Sequence, residues 1–169
     1  MNLPDALRRL TTLAAALLLC SCATRTPHAV IMAPLTAQVC WGDEFHANVT
    51  SPTGQMSQAA CQTLGVQIDR DVQALAQPPT GAPRRYHAEV NITRYSEGNF
   101  FASSVLPGAG EIHVEGTVTL YQMPRRMPVG TFAISKHFIP VGLFAAFVKE
   151  YTISDAFAKG VAKTLCNVR

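Results

Sequence analysis

Charge is scarce in this chain: Asp, Glu, Lys and Arg together make up 15% of its 169 residues, and the net charge is +3. No basic run is longer than the pairs Arg84-Arg85 and Arg125-Arg126. A nucleic-acid partner is excluded on that ground, because phosphate binding needs a concentrated basic patch. Long apolar runs are missing as well. The greasiest early stretch, Leu10 to Leu19, is interrupted by Thr11 and Thr12 and is about half the ~20 residues a helix needs to span a bilayer. HExxH, GxSxG, P-loop and redox CxxC motifs are all absent, as are internal repeats and any sign of a second domain. No motif therefore points to a reaction. What is present is a 48% apolar composition, too rich for a disordered chain and suited to a packed core.

The short apolar run has a context. Arg8 and Arg9 precede it, and Leu19-Cys20-Ser21-Cys22 follows. A positive start, a brief apolar segment and small residues before a cut form a secretory signal. The last four residues resemble the lipobox of bacterial lipoproteins: a branched apolar residue, two small ones, then the cysteine that takes the lipid. That resemblance implies a signal peptide over residues 1–21 and lipidation of Cys22, with more than one acyl chain and hence stable anchoring. Ala23, where an Asp would favour inner-membrane retention, implies the outer membrane, with the domain facing the periplasm.

The chain from Cys22 onward suits a tether over 22–29 and a single domain over 30–169. Without Arg8, Arg9 and Asp5, its 12 basic and 10 acidic residues leave a net +2. Three cysteines remain beyond Cys22, namely Cys40, Cys61 and Cys166. An oxidising periplasm predicts one disulfide and one odd thiol. Cys61 with Cys166 is favoured, both lying on predicted helices that should pack side by side. Cys40 could replace either.

Periodicity supplies the elements. Val30 to Val39 is apolar and reads as a weak strand limited by Pro34. Cys40 to Gly54, rich in turn formers, reads as a loop. Ser57 to Gln77 reads as a helix, with Cys61, Leu64, Ile68, Val72 and Leu75 on one stripe and Pro78-Pro79 as its stop. The period then drops to two over Tyr86 to Tyr95, Glu111 to Tyr121 and Val129 to Ile139, three strands with one wet and one buried face. Met123 to Met127 joins the last two as a hairpin loop. Ser154 to Asn167 is a second helix, with Thr152 and Asp155 resembling a capping box. An α+β two-layer sandwich follows: a mainly antiparallel sheet of three to four strands, with two helices on one face. This order resembles small domains of outer-membrane lipoproteins that serve assembly or transport machinery, and lipoprotein families of unknown function. It implies a non-enzymatic binding or scaffolding role without a cofactor.

Two apolar connections, Gly98 to Gly110 and Pro140 to Val148, fall at the same end of such a sheet. They bring together Phe100, Phe101, Val105, Leu106, Leu143, Phe144 and Phe147. Of these Phe100, Phe101, Leu106, Leu143, Phe144 and Phe147 are the candidate surface for an envelope protein partner, because contiguous exposed apolar patches mark contact sites. Were Val30 to Val39 parallel to the first alternating strand, the tether would enter at the other end, and this patch would point away from the anchoring leaflet. Two chemical alternatives stand beside this reading. His87, Glu89, His113, Glu115 and His137 share the wet face, and a hairpin centred on Arg125 sets His113 opposite His137, where two imidazoles and a carboxylate can hold zinc. Cys40, Asp43 and His46 have the residue types of a thiol nucleophile with a base, although their spacing in sequence is no sign of that geometry.

Overall fold

The computed structural model describes residues 27–79, 81–96, 112–138 and 150–168. The order is β1 (His28–Ala33), β2 (Glu44–Thr50), α1 (Gln58–Leu75), β3 (Arg85–Ser96), β4 (Ile112–Met123), β5 (Met127–Phe138) and α2 (Glu150–Leu165). One five-stranded sheet runs β1-β5-β4-β3-β2. All neighbours are antiparallel except β2 and β3, which are parallel. Both helices cover the same face: α1 lies over β2, α2 over β1, β4 and β5, and the two helices touch. The fold is α+β.

Alternation decides the layering. Tyr86, Ala88, Val90 and Ile92 of β3, Val118 and Leu120 of β4, and Phe132 and Ile134 of β5 are buried beneath the helices. From above, α1 contributes Leu64, Ile68 and Val72, and α2 contributes Phe157, Val161 and Leu165. Burying each large side chain stabilises the fold by about 1.5–3 kcal/mol. Ser57 starts α1 by accepting the Ala60 amide at 3.2 Å, satisfying one orphan donor of the first turn. The helix ends just before Pro78-Pro79, as their missing amide donors require.

Gly130 sets how the chain crosses β5. A methyl group there would lie 2.8 Å from Leu35 Cα and 2.8 Å from the Pro34 carbonyl oxygen. Only glycine lets the segment after β1 pass so close, and Thr36 fastens the crossing by donating its amide to the Val129 carbonyl at 2.9 Å.

Four expectations need correction. The segment read as a loop contains β2, whose Phe45, Ala47 and Val49 are buried and alternate with exposed Glu44, His46, Asn48 and Thr50. The sheet thus has five strands, not three to four. The weak strand stops at Ala33, and it begins at His28, inside the expected tether, because His28 pairs with Ser135. Helix α2 begins by Glu150, so Thr152 stands within it and is no cap. Finally, β1 is antiparallel to β5 and so runs opposite to β3. The chain preceding β1 enters at the end of the sheet where β3 and β5 finish, the same end as the two apolar connections and not the opposite one.

Candidate functional site

The face away from the helices carries the polar side chains. The β4–β5 register sets His113 opposite His137, as the hairpin reading predicts, and Glu115 opposite Ser135. Glu115 is two residues from His113 on β4, so all three of His113, Glu115 and His137 point to one side. His113 Nε2 lies 2.8 Å from Glu115 Oε1, and His137 Nε2 lies 3.7 Å from the same oxygen. The two imidazoles meet edge to face with centroids 3.8 Å apart. His113 is buried, while Glu115 and His137 are 36% and 44% exposed. Among the described residues this is the one trio of His, Cys, Asp or Glu side chains whose ligand atoms all lie within 4.8 Å of one another.

The other wet-face residues of the expected set form separate contacts. Glu89 accepts a hydrogen bond from Arg126 of the hairpin turn, and the Arg126 guanidinium sits over the Tyr121 ring at 5.1 Å. His87 stands beside His46 of β2, with centroids 5.8 Å apart.

The Cys40 group does not assemble as a nucleophile and base. Both oxygens of Asp43 are occupied by backbone donors, the amides of Cys40 and Arg84, each at 2.8 Å. His46 Nδ1 instead meets Asp69 of α1 at 3.0 Å. Asp43 thus braces the entrance to β2, joining its loop to the start of β3.

No disulfide joins Cys61 and Cys166. All three cysteines, Cys40, Cys61 and Cys166, are buried free thiols. The two helices do pack together, but Cys166 Sγ meets α1 at the Val72 carbonyl, 3.7 Å away. Cys61 is three helical turns earlier, about 16 Å along the axis, far beyond the ~7 Å limit between Cα atoms for a bridge. Burial pushes the Cys166 thiol up to about 11, with Cys40 adding a smaller charge effect, and burial also raises Cys61.

Two surfaces escaped the sequence reading. A cleft of about 1060 Å³ opens between β1, the segment after it and α2. Ile31, Leu35 and Ile153 give it apolar walls, and Lys136, Lys159 and Lys163 make it basic. Burial lowers the Lys136 ammonium below the usual lysine range. Strand β1 at the sheet's edge exposes Val30, Ile31 and Met32 at 51%, 50% and 65%. The expected contact residues Phe100, Phe101, Leu106, Leu143, Phe144 and Phe147, and the lipidation candidate Cys22, lie outside the described residues.

No family model matches the chain, and no curated protein matches it in sequence. Solved structures do share its fold. The PelC dodecamer from Paraburkholderia phytofirmans superposes with a TM-score of 0.55 over 82% of this chain and 99% of that one, at 9% identity. A variant of the same dodecamer in a second crystal form gives 0.51 over 80% and 98%, at 8% identity. A minor lipoprotein from Acinetobacter baumannii is a looser match, with a TM-score of 0.37 over 75% and 91% at 12% identity. At such identities the likeness is one of fold.

Proposed function

We propose that this chain is a lipid-anchored, non-enzymatic protein of the outer membrane, facing the periplasm, whose single domain binds or scaffolds a partner in an envelope assembly or transport machine. The observation that carries this reading is the leader: a short apolar run that ends at Leu19-Cys20-Ser21-Cys22. Only five residues separate Cys22 from His28, a reach of about 20 Å at full extension. The tether enters at the end of the sheet from which the two apolar connections leave. A domain held so closely keeps the end of the sheet where β1 begins, and where β3 and β5 finish, near the leaflet. The partner for that apolar end is accordingly one seated at the membrane face, not one reached across the periplasm.

Pull-down from detergent-solubilised membranes tests this. The full chain with Phe100, Phe101, Phe144 and Phe147 changed to Ser should lose the proteins that the native chain recovers, with its circular dichroism and melting unchanged. Equal recovery by a folded variant contradicts the reading.

A second reading is favoured by a different observation. PelC, which shares the fold, forms dodecamers, and here the edge strand β1 exposes an apolar run with no strand beyond it in the sheet among the described residues. Such an edge is a template for pairing with another chain. On this reading scaffolding includes self-assembly through β1.

A further inference from the structure

The polar face holds an arrangement that the scaffolding role does not use. His113 and Glu115 come from β4 and His137 from β5, strands joined by a tight turn and paired without a shift from Ile112–Phe138 to Leu120–Gly130. Three nitrogen and oxygen donors therefore converge from a rigid two-stranded platform, which suits a preorganised site better than loops do.

The spacing fits a metal ion. Bonds of about 2.0–2.2 Å in a tetrahedral shell place neighbouring ligand atoms roughly 3.2–3.6 Å apart. The two contacts at Glu115 Oε1, 2.8 Å and 3.7 Å, bracket that range, and the ligand atoms of all three residues lie within 4.8 Å of one another. Both imidazoles thus lie within ion-pair distance of one carboxylate oxygen. The His113 and His137 rings approach to 3.8 Å, closer than the 4.5–7 Å of ordinary aromatic pairs. A shared cation gives two imidazoles a reason to converge on one carboxylate.

We propose that His113, Glu115 and His137 form a binding site for a divalent transition-metal ion of the zinc class. Two imidazoles and one carboxylate suit such an ion, whereas magnesium and calcium favour all-oxygen shells. Three protein ligands leave one tetrahedral position open, and the partial exposure of Glu115 and His137 leaves it accessible to water or a partner's side chain.

The test uses the mature full-length chain, stripped with chelator and titrated with zinc chloride by calorimetry. The native protein should bind one ion, and His137→Ala should weaken binding at least tenfold. Glu115→Gln, also at a partly exposed position, replaces that variant should it fail to fold. Cobalt(II) substitution separates this site from the three thiols: the proposal expects visible ligand-field bands without thiolate-to-cobalt charge transfer. No binding by the native protein, a loss under tenfold in the folded variant, or a thiolate band would overturn the proposal.

Discussion

Asp69 of α1 accepts the backbone amide of Ala47 on β2 at 2.7 Å. The same carboxylate meets His46 Nδ1 through its other oxygen at 3.0 Å. Strand β2 is an edge of the sheet, so its outward amides are open to pairing with another chain. The helix thus blunts that edge with a side chain, while β1, at the far edge, keeps its exposed Val30, Ile31 and Met32. The two edges of one sheet are treated differently.

Removing the carboxylate should therefore both weaken and expose β2. Asp69→Ala strands the Ala47 amide and should cost about 1–3 kcal/mol, the penalty for leaving a donor without its partner. Asp69→Asn keeps an acceptor and should cost less. Urea unfolding gives the order of stabilities, and equal values for the two variants would contradict the edge-capping role.

The opposite edge makes the opposite prediction. Met32→Lys adds charge at a residue 65% exposed, so stability should change by no more than about 0.5 kcal/mol. If β1 is the assembly edge, the same change should shift the protein to smaller species in multi-angle light scattering. An unaltered oligomer size removes β1 from that role.

Gly130→Ala should cost about 1–3 kcal/mol, the usual penalty of overpacking. Its neighbours at 2.8 Å are main-chain atoms of Leu35 and Pro34, which cannot step aside by changing rotamer. Thermal melting checks this, and an unchanged or raised midpoint would show that the crossing after β1 is looser than described.

The buried thiols predict alkaline sensitivity. Cys166 is raised to about 11 from the ordinary 9.0, so between these values the folded protein keeps a proton that the unfolded chain gives up. Stability contributed by this group is complete below pH 9 and falls as pH rises toward 11, by up to roughly 2–3 kcal/mol. Cys61 acts in the same direction. The lowered Lys136 acts in the other, since its unfolded form holds the extra proton. Denaturant melts of the native chain and Cys166→Ala at pH 8 and 10.5 separate the terms: the variant should lose less on going to alkaline pH. An equal loss would mean that Cys166 ionises freely in the fold.

Local pattern made most of the fold legible. Tyr86, Ala88, Val90 and Ile92 announce β3 by period two, and the stripe Cys61, Leu64, Ile68 and Val72 announces α1. The pairing of His113 with His137 agrees with a hairpin centred on Arg125, but counting outward from the observed turn pairs, Gln122 with Met127 and Tyr121 with Pro128, would set His113 opposite Lys136; the register shift between Leu120 and Tyr121, which the sequence does not announce, brings the two histidines together. Strand β2 was hidden for a physical reason. Its Phe45, Ala47 and Val49 alternate, but Gly42-Asp43 and Ser51-Pro52 crowd it on both sides with turn formers. Its partner is also parallel and lies beyond α1, so no local turn betrays the pairing. The direction of β1 and the role of Asp69 depend on contacts between elements distant in sequence, which periodicity does not encode. The three thiols show the same limit: packing of α1 against α2 was foreseen, but the offset along the helix axis that keeps Cys61 from Cys166 was not.

The anchor remains the claim on which placement and role both rest. Intact-mass and N-terminal peptide analysis of the protein extracted from membranes tests it directly. The account predicts a chain beginning at Cys22 with acyl groups on that residue, and complete loss of the lipid in Cys22→Ala. A chain that retains residues 1–21, or one that begins at an unmodified residue, would contradict it.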